Sequence, residues 1–131
     1  MPPILNHTIV RSKDKWASAE FFARIMGLEV ERNSPTHFAP VKINDNLFFD
    51  FDDGRDPVAH EHYAFHVSDE EFDAIFGRVK AEGLSYGSEP FAQDNMKVYD
   101  MWGGRGIYFH ELNGHSIEIF TRRSPDGSYP P

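Results

Sequence analysis

The sequence contains no cysteine, which excludes a disulfide framework, a thiolate nucleophile and Cys-ligated zinc. Any metal must therefore rest on His, Asp and Glu. Positive charge is also scarce: 13 Lys and Arg stand against 21 Asp and Glu, a formal net charge of −8. Such a chain has no basic surface to displace phosphate counterions, so a nucleic-acid partner is not expected. The acidic balance instead suits a cationic ligand or a metal. No apolar run approaches the roughly 20 residues needed to cross a bilayer. The opening MPPILNHTIVRSKDK lacks a basic segment followed by an apolar one, so a secretion signal is not expected and cytoplasm is the default compartment. On that reading Asn6-His7-Thr8 matches a glycosylation acceptor by coincidence. What remains is 131 residues, 40% hydrophobic and 26% charged, suited to one globular domain over 1–131.

That domain is written twice. The alternating segment His7-Thr8-Ile9-Val10-Arg11 runs into Asp14, and His62-Tyr63-Ala64-Phe65-His66-Val67 runs into Asp69. Each is followed by a helical pattern. In the second copy Phe72, Ile75, Phe76 and Val79 form one apolar stripe. Ser68 and Glu71 make a capping-box pattern at its start, and Gly83 ends it. In the first copy Trp16, Ala19, Phe22, Ala23 and Met26 are followed by Gly27. Short strands at Leu28–Val30 and Leu84–Tyr86 are expected next, then a hairpin in each copy. The first hairpin is His37–Ile43, a turn at Asn44–Asn46, and Leu47–Phe51. The second is Gly106–His110, a turn at Leu112–Gly114 carrying an Asn-Gly pair, and Ser116–Phe120. The fold class is α+β, two βαβββ modules at about 4–53 and 60–122, with an aperiodic tail at 123–131. The second copy is longer by an insertion between about 86 and 105. Its Phe91, Met96, Tyr99 and Trp102 are too apolar for an idle solvent loop and suggest a lid or a subunit cover.

Alternate strand residues share a face. In the second copy Tyr63, Phe65 and Val67 pack one way, leaving His62, Ala64 and His66 the other. In the last strand Ile117 and Ile119 pack inward and Glu118 points away with Ser116 and Phe120. By the same logic Asp50 faces away from Phe49 and Phe51. Repeat symmetry thus puts His7, Asp50, His62 and Glu118 at corresponding positions. If the faces converge, two imidazoles and at least one carboxylate meet, a recognised facial set for Fe(II), Mn(II), Ni(II) or Zn(II) with open coordination positions. Asp50 is shorter than Glu and is followed by Asp52 and Asp53, so an acidic strand end explains it equally well. His66, on the ligand face near a rim, suits general acid–base work, and Tyr108 suits hydrogen bonding to a substrate oxygen. Arg11 belongs to the same rim. His60 and His110 lie near turns and are expected to face solvent, whereas His115 is open to a backbone or supporting role.

The stretches Leu5-Asn6-His7-Thr8, His62–Val67 and Gly106–Phe120 together resemble the vicinal oxygen chelate superfamily: glyoxalase I, fosfomycin resistance proteins, extradiol dioxygenases and bleomycin resistance proteins. The likeness covers about residues 4–122, with Glu111-Leu112-Asn113-Gly114 in place of the family's usual Asp-Pro-Asp-Gly turn. It implies sheets curved in a barrel-like manner around a metal cavity and metal-ligand roles for His7, His62 and Glu118. It also implies a homodimer. Glyoxalase I has a fourth ligand, a Glu, where this chain has Asp50. The expected function is that of a divalent-metal-dependent enzyme, dioxygenase-like or glyoxalase-like, on a small substrate chelated through adjacent oxygens. The alternative is a non-catalytic protein that sequesters a drug or metabolite, which has no need of the three ligands.

Overall fold

The computed structural model describes residues 1–101 and 103–121. Trp102 and the tail at 123–131 lie outside the described residues. The chain forms two units, Met1–Ala59 and His60–Pro131, and each is considered by itself.

The first unit runs β1 (His7–Arg11), α1 (Lys15–Met26), β2 (Ala39–Lys42) and β3 (Phe48–Asp52). Its sheet has the order β1-β3-β2, with β1 parallel to β3 and β2 antiparallel to it. Asp14 caps α1 by accepting from the Ala17 N–H, and Gly27 ends the helix at φ 73°, a left-handed conformation that glycine adopts without steric cost. The helix buries Ala19, Phe22 and Ala23 as the pattern predicts, and also Ser18, Phe21 and Ile25. Trp16 is exposed instead. Phe22 stacks on Phe49 with ring centroids 5.4 Å apart and lies against Phe51 at 5.7 Å. These inward residues of β3 alternate with Phe48, Asp50 and Asp52, which are only partly buried.

The expected strand at Leu28–Val30 shrinks to a single bridge, Val30 to Val41: before it the Leu28 N–H is spent on the Ala23 carbonyl at the end of α1, and beyond it the pairing meets Pro40. The Glu31 N–H donates to the Pro40 carbonyl at 2.9 Å. The reciprocal bond needs an N–H that proline lacks, so the ladder stops.

The second unit runs β4 (His62–His66), α2 (Asp69–Ala81), β5 (Tyr99–Met101), β6 (Gly104–His110) and β7 (Ser116–Phe120), in the order β4-β7-β6-β5. The capping box of α2 is present, with both Ser68–Glu71 bonds formed. Phe72, Ile75 and Val79 are buried as expected. Instead of a strand at Leu84–Tyr86, the sheet gains β5 from within the inserted segment, and Gly87 pairs with Tyr108 by two 2.9 Å backbone bonds. Arg105 ties β6 to α2: its guanidinium lies 4.4 Å from the centre of the Phe72 ring and bonds Asp73 at 2.8 Å.

The β6–β7 turn is built around a buried carboxylate. Glu111 accepts from the Asn113 N–H at 2.7 Å, the Asn113 side-chain amide at 2.9 Å and the His115 N–H at 3.1 Å. Gly114 sits at φ 87°. Fully buried His115 accepts the Glu61 N–H on Nδ1 at 3.0 Å, which assigns it to holding the start of β4. His60 packs over Gly114 and edge-on to His115, and it is exposed, as is His110. No helix among the described residues is long and apolar enough to cross a membrane.

Candidate functional site

The duplication read in the sequence holds in the hydrogen-bond register. His7 pairs with Phe48 and Ile9 with Asp50; His62 pairs with Ser116 and Ala64 with Glu118. In both units a histidine opens the edge strand, and a carboxylate lies two residues further along its parallel neighbour. Across the next strand Asp50 faces Pro40, and Glu118 faces Tyr108. The two ligand faces are therefore equivalent in backbone but not in chemistry.

In the second unit β4 presents His62 and β7 presents Glu118, and the two meet at 3.3 Å between Nε2 and Oε1. Glu118 is buried to 5% exposure, whereas the His62 side chain is half exposed. Burying a carboxylate is costly unless it is hydrogen-bonded or paired, and here the Tyr99 hydroxyl donates to Oε2 at 2.5 Å. Tyr99 comes from β5, opposite Gly106. A Cβ on residue 106 would fall 2.1 Å from the Tyr99 ring, so glycine is what lets the ring lie flat there. The Tyr108 ring stacks on His62 at 5.8 Å and 29°, and it stands 5.9 Å from the Tyr99 ring. His62 Nδ1 is 3.1 Å from Ser116 Oγ.

In the first unit His7 and Asp50 line a concave pocket of about 540 Å³ with Asn6, Pro40, Lys42 and Phe48. His7 Nδ1 lies 2.9 Å from the Asn6 side-chain oxygen. Since that oxygen only accepts, Nδ1 carries the proton and Nε2 keeps its lone pair when the ring is neutral.

The structure thus brings His62, Glu118 and Tyr108 together and puts His7 beside Asp50. Among the described residues no group of three or more His, Asp and Glu side chains stands ready to hold a metal ion. His66 shares the face of His62 but sits four residues along β4, about 13 Å away at strand spacing. It is exposed, edge-on to Phe120 at 5.4 Å. Arg11 is engaged by Asp52 at 2.9 Å. Sequence reasoning missed the polar roles of Tyr99, Gln93 and Ser116. The inserted segment has no period to show which residues turn inward, and the one available signal was Ser116 sharing the face of Glu118. Phe91 and Met96, singled out with Tyr99 as apolar, are exposed.

The residues of the second unit fit a divalent ion. Two ligands with bonds of about 2.1 Å at 90–110° have donor atoms about 3.0–3.4 Å apart, and the His62–Glu118 separation falls in that range. An imidazole and a buried carboxylate anchored through its other oxygen form a donor set of the right kind.

A strand-helix-strand duplication with a His-carboxylate pair on equivalent strands defines a class, and the sequence agrees. It matches the model of the Glyoxalase/Bleomycin resistance protein/Dioxygenase superfamily over residues 4–119, and the chain belongs to that superfamily. Among solved structures it is similar to Oxidase ChaP-H2, at 45% identity over 98% of this chain and 100% of that one, with a TM-score of 0.87. It is similar to Oxidase ChaP-H1 at 41% identity over 97% and 100%, with a TM-score of 0.86. Fosfomycin resistance protein FosX from Mesorhizobium loti shares the fold at 19% identity, over 96% of this chain and 98% of that one, with a TM-score of 0.70. No curated protein is significantly similar in sequence.

Proposed function

We propose that the chain is a divalent-metal-dependent oxidoreductase of the dioxygenase type, acting on a small molecule bound through two adjacent oxygens. His62 and Glu118 hold the ion, with His7 as third ligand, from the same chain or from a second copy in a cytoplasmic homodimer. The observation that carries the reading is the 3.3 Å His62–Glu118 pair, its carboxylate anchored by Tyr99. The similarity to proteins named oxidases favours oxidation over the glyoxalase-like alternative.

When bound, a divalent ion supplies Lewis acidity that stabilises negative charge on the substrate oxygens. The rest falls to the protein's own groups. Tyr99 fixes the direction in which Glu118 presents Oε1. Ser116 fixes the rotation of the His62 ring. Tyr108, stacked on His62, offers a phenol that can donate a hydrogen bond to a substrate oxygen and steady a developing oxyanion. Stacked against that ring, it also covers one face of His62 from water.

Metal analysis of the purified protein and of His62→Ala and Glu118→Ala tests the ligands. Both variants are expected to lose most of their metal while keeping their circular-dichroism spectra. Full occupancy in both ends the assignment. An oxygen electrode with simple catechols tests the reaction class, with metal-dependent oxygen uptake expected. A protein that binds no Fe(II), Mn(II), Ni(II) or Zn(II) and gains no activity from any of them overturns the enzyme reading in favour of sequestration.

A further inference from the structure

Strands β3 and β7 carry three carboxylates, and two of them are engaged. Glu118 accepts from Tyr99 at 2.5 Å and lies 3.3 Å from His62, and Asp52 pairs with Arg11 at 2.9 Å. Asp50 is the third, and among the described residues its carboxylate has neither a hydrogen bond nor an ion pair. Its neighbours explain why. Ile9 and Pro40 are its register partners on either side, and neither has a polar side chain to offer. Phe48 precedes it on the same face. Asp50 is also one carbon shorter than Glu118, so the register that joins Glu118 to His62 leaves Asp50 without a bond to His7. A partly buried carboxylate among apolar side chains is costly unless something pairs with it. This one opens into the pocket of about 540 Å³ that His7 lines.

His7, Phe48 and Lys42 form one row across the three strands and line that pocket together. A flat ring seated on Phe48 therefore has His7 at one edge, Lys42 at the other and Asp50 ahead of it along β3. We propose that Asp50 is a specificity-determining residue that accepts a hydrogen bond from a hydroxyl of an aromatic substrate, one hydroxyl beyond the two oxygens of the chelating pair. The preferred substrate class is a trihydroxylated ring, taken ahead of a simple catechol. This task rests on the metal-centre reading, which puts the chelating pair at the His7 edge. A hydroxyl suits the place better than an ammonium group. Lys42 and Glu31 stand exposed in the same pocket and offset each other's charge. An ion pair among Ile9, Pro40 and Phe48 would strip water from two charges, where a hydroxyl strips it from one. A site built around a substrate hydroxyl also rejects the analogue without it, because the acceptor is then left unpaired.

Anaerobic calorimetry on the Zn(II)-loaded protein tests the assignment, since zinc has no redox chemistry of its own. The probes are catechol, pyrogallol, hydroxyquinol and dopamine. At least one of the two triols is expected to bind wild type about 10–100-fold tighter than catechol, the worth of a hydrogen bond to a charged group. In Asp50→Ala that preference should vanish. In Asp50→Asn, which keeps the shape without the charge, it should fall to a few-fold. Zn(II) affinity should stay near wild type in both. Triols that bind wild type no better than catechol overturn the proposal, as does a preference undiminished in either variant. Loss of Zn(II) from both variants overturns it by making Asp50 a ligand, and an Asp50-dependent preference for dopamine does so by making it a cation site. If no protein binds Zn(II), the metal-centre reading fails by itself, and the same titrations on the metal-free chain decide the role of Asp50. An Asp50-dependent triol preference there supports it, and the absence of one overturns it.

Discussion

Gly106→Ala is the substitution that most directly tests how the site is assembled. A Cβ at residue 106 would lie 2.1 Å from Tyr99 Cζ, 2.2 Å from its hydroxyl oxygen and 2.5 Å from Cε2. Nothing at that separation is accommodated without movement, and Tyr99 is buried to 8% exposure and paired in register with residue 106. The ring must leave its seat, which carries the hydroxyl off Glu118. Overpacking of a buried position costs about 1–3 kcal/mol, and loss of a hydrogen bond to a charged group costs about 1.5–3 kcal/mol. The expected destabilisation is about 3–5 kcal/mol, seen as a lower urea midpoint at unchanged slope. Tyr99→Phe isolates the second contribution and should cost about 1.5–3 kcal/mol. Because the hydroxyl bond can be lost only once, the double variant should fall short of the sum of the singles. A Gly106→Ala protein within about 0.5 kcal/mol of wild type, or strict additivity in the double variant, refutes the coupling of this glycine to Glu118.

Two further outcomes follow from the second unit. Glu111→Ala removes the acceptor for three N–H donors in the buried β6–β7 turn and should destabilise by about 2–3 kcal/mol in equilibrium denaturation. Loss below about 0.5 kcal/mol would mean that water replaces the carboxylate at no cost. Burial, reinforced by the charges of Glu61 and Glu111, raises the Tyr63 pKa above its ordinary value of 10.0. The folded state therefore favours the neutral phenol, and its contribution to stability is full below about pH 10 and lost as the pH climbs beyond it. Tyr63→Phe should flatten the alkaline limb of the stability curve, and an identical limb in both proteins would contradict the assignment.

Much of this was legible in the chain because burial and periodicity coincide there. The apolar stripe of α2, its capping box, and the alternation of His62, Ala64 and His66 against Tyr63 and Phe65 all follow from one-dimensional spacing and recur in the structure. So does the equivalence of Asp50 with Glu118, which the parallel registers reproduce. What spacing could not show was pairing decided by a single backbone atom. The strand expected at Leu28–Val30 loses its start to the bond from the Leu28 N–H to Ala23 and cannot run on past Glu31 for want of the Pro40 N–H, a consequence visible only once Glu31 is known to lie opposite. Tyr99 and Gln93 were illegible for a different reason. They reach Glu118 and Ser116 from a stretch without period, and only the three-dimensional path of residues 86–105 selects them from among Phe91, Met96 and their neighbours. Arg11 looked available along β1, but Asp52, five places beyond Leu47, had already claimed it.

Pro40 also shapes the surface around His7. Its counterpart Tyr108 zips both ways to Gly87, whereas Pro40 can be approached from one side only. Freed from the ribbon after Glu31, the chain wanders instead of lying flat, and Asn33, Ser34 and Thr36 become the wall of the hollow that His7 and Asp50 share. A ring closed on one nitrogen has turned the margin of a sheet into a cleft.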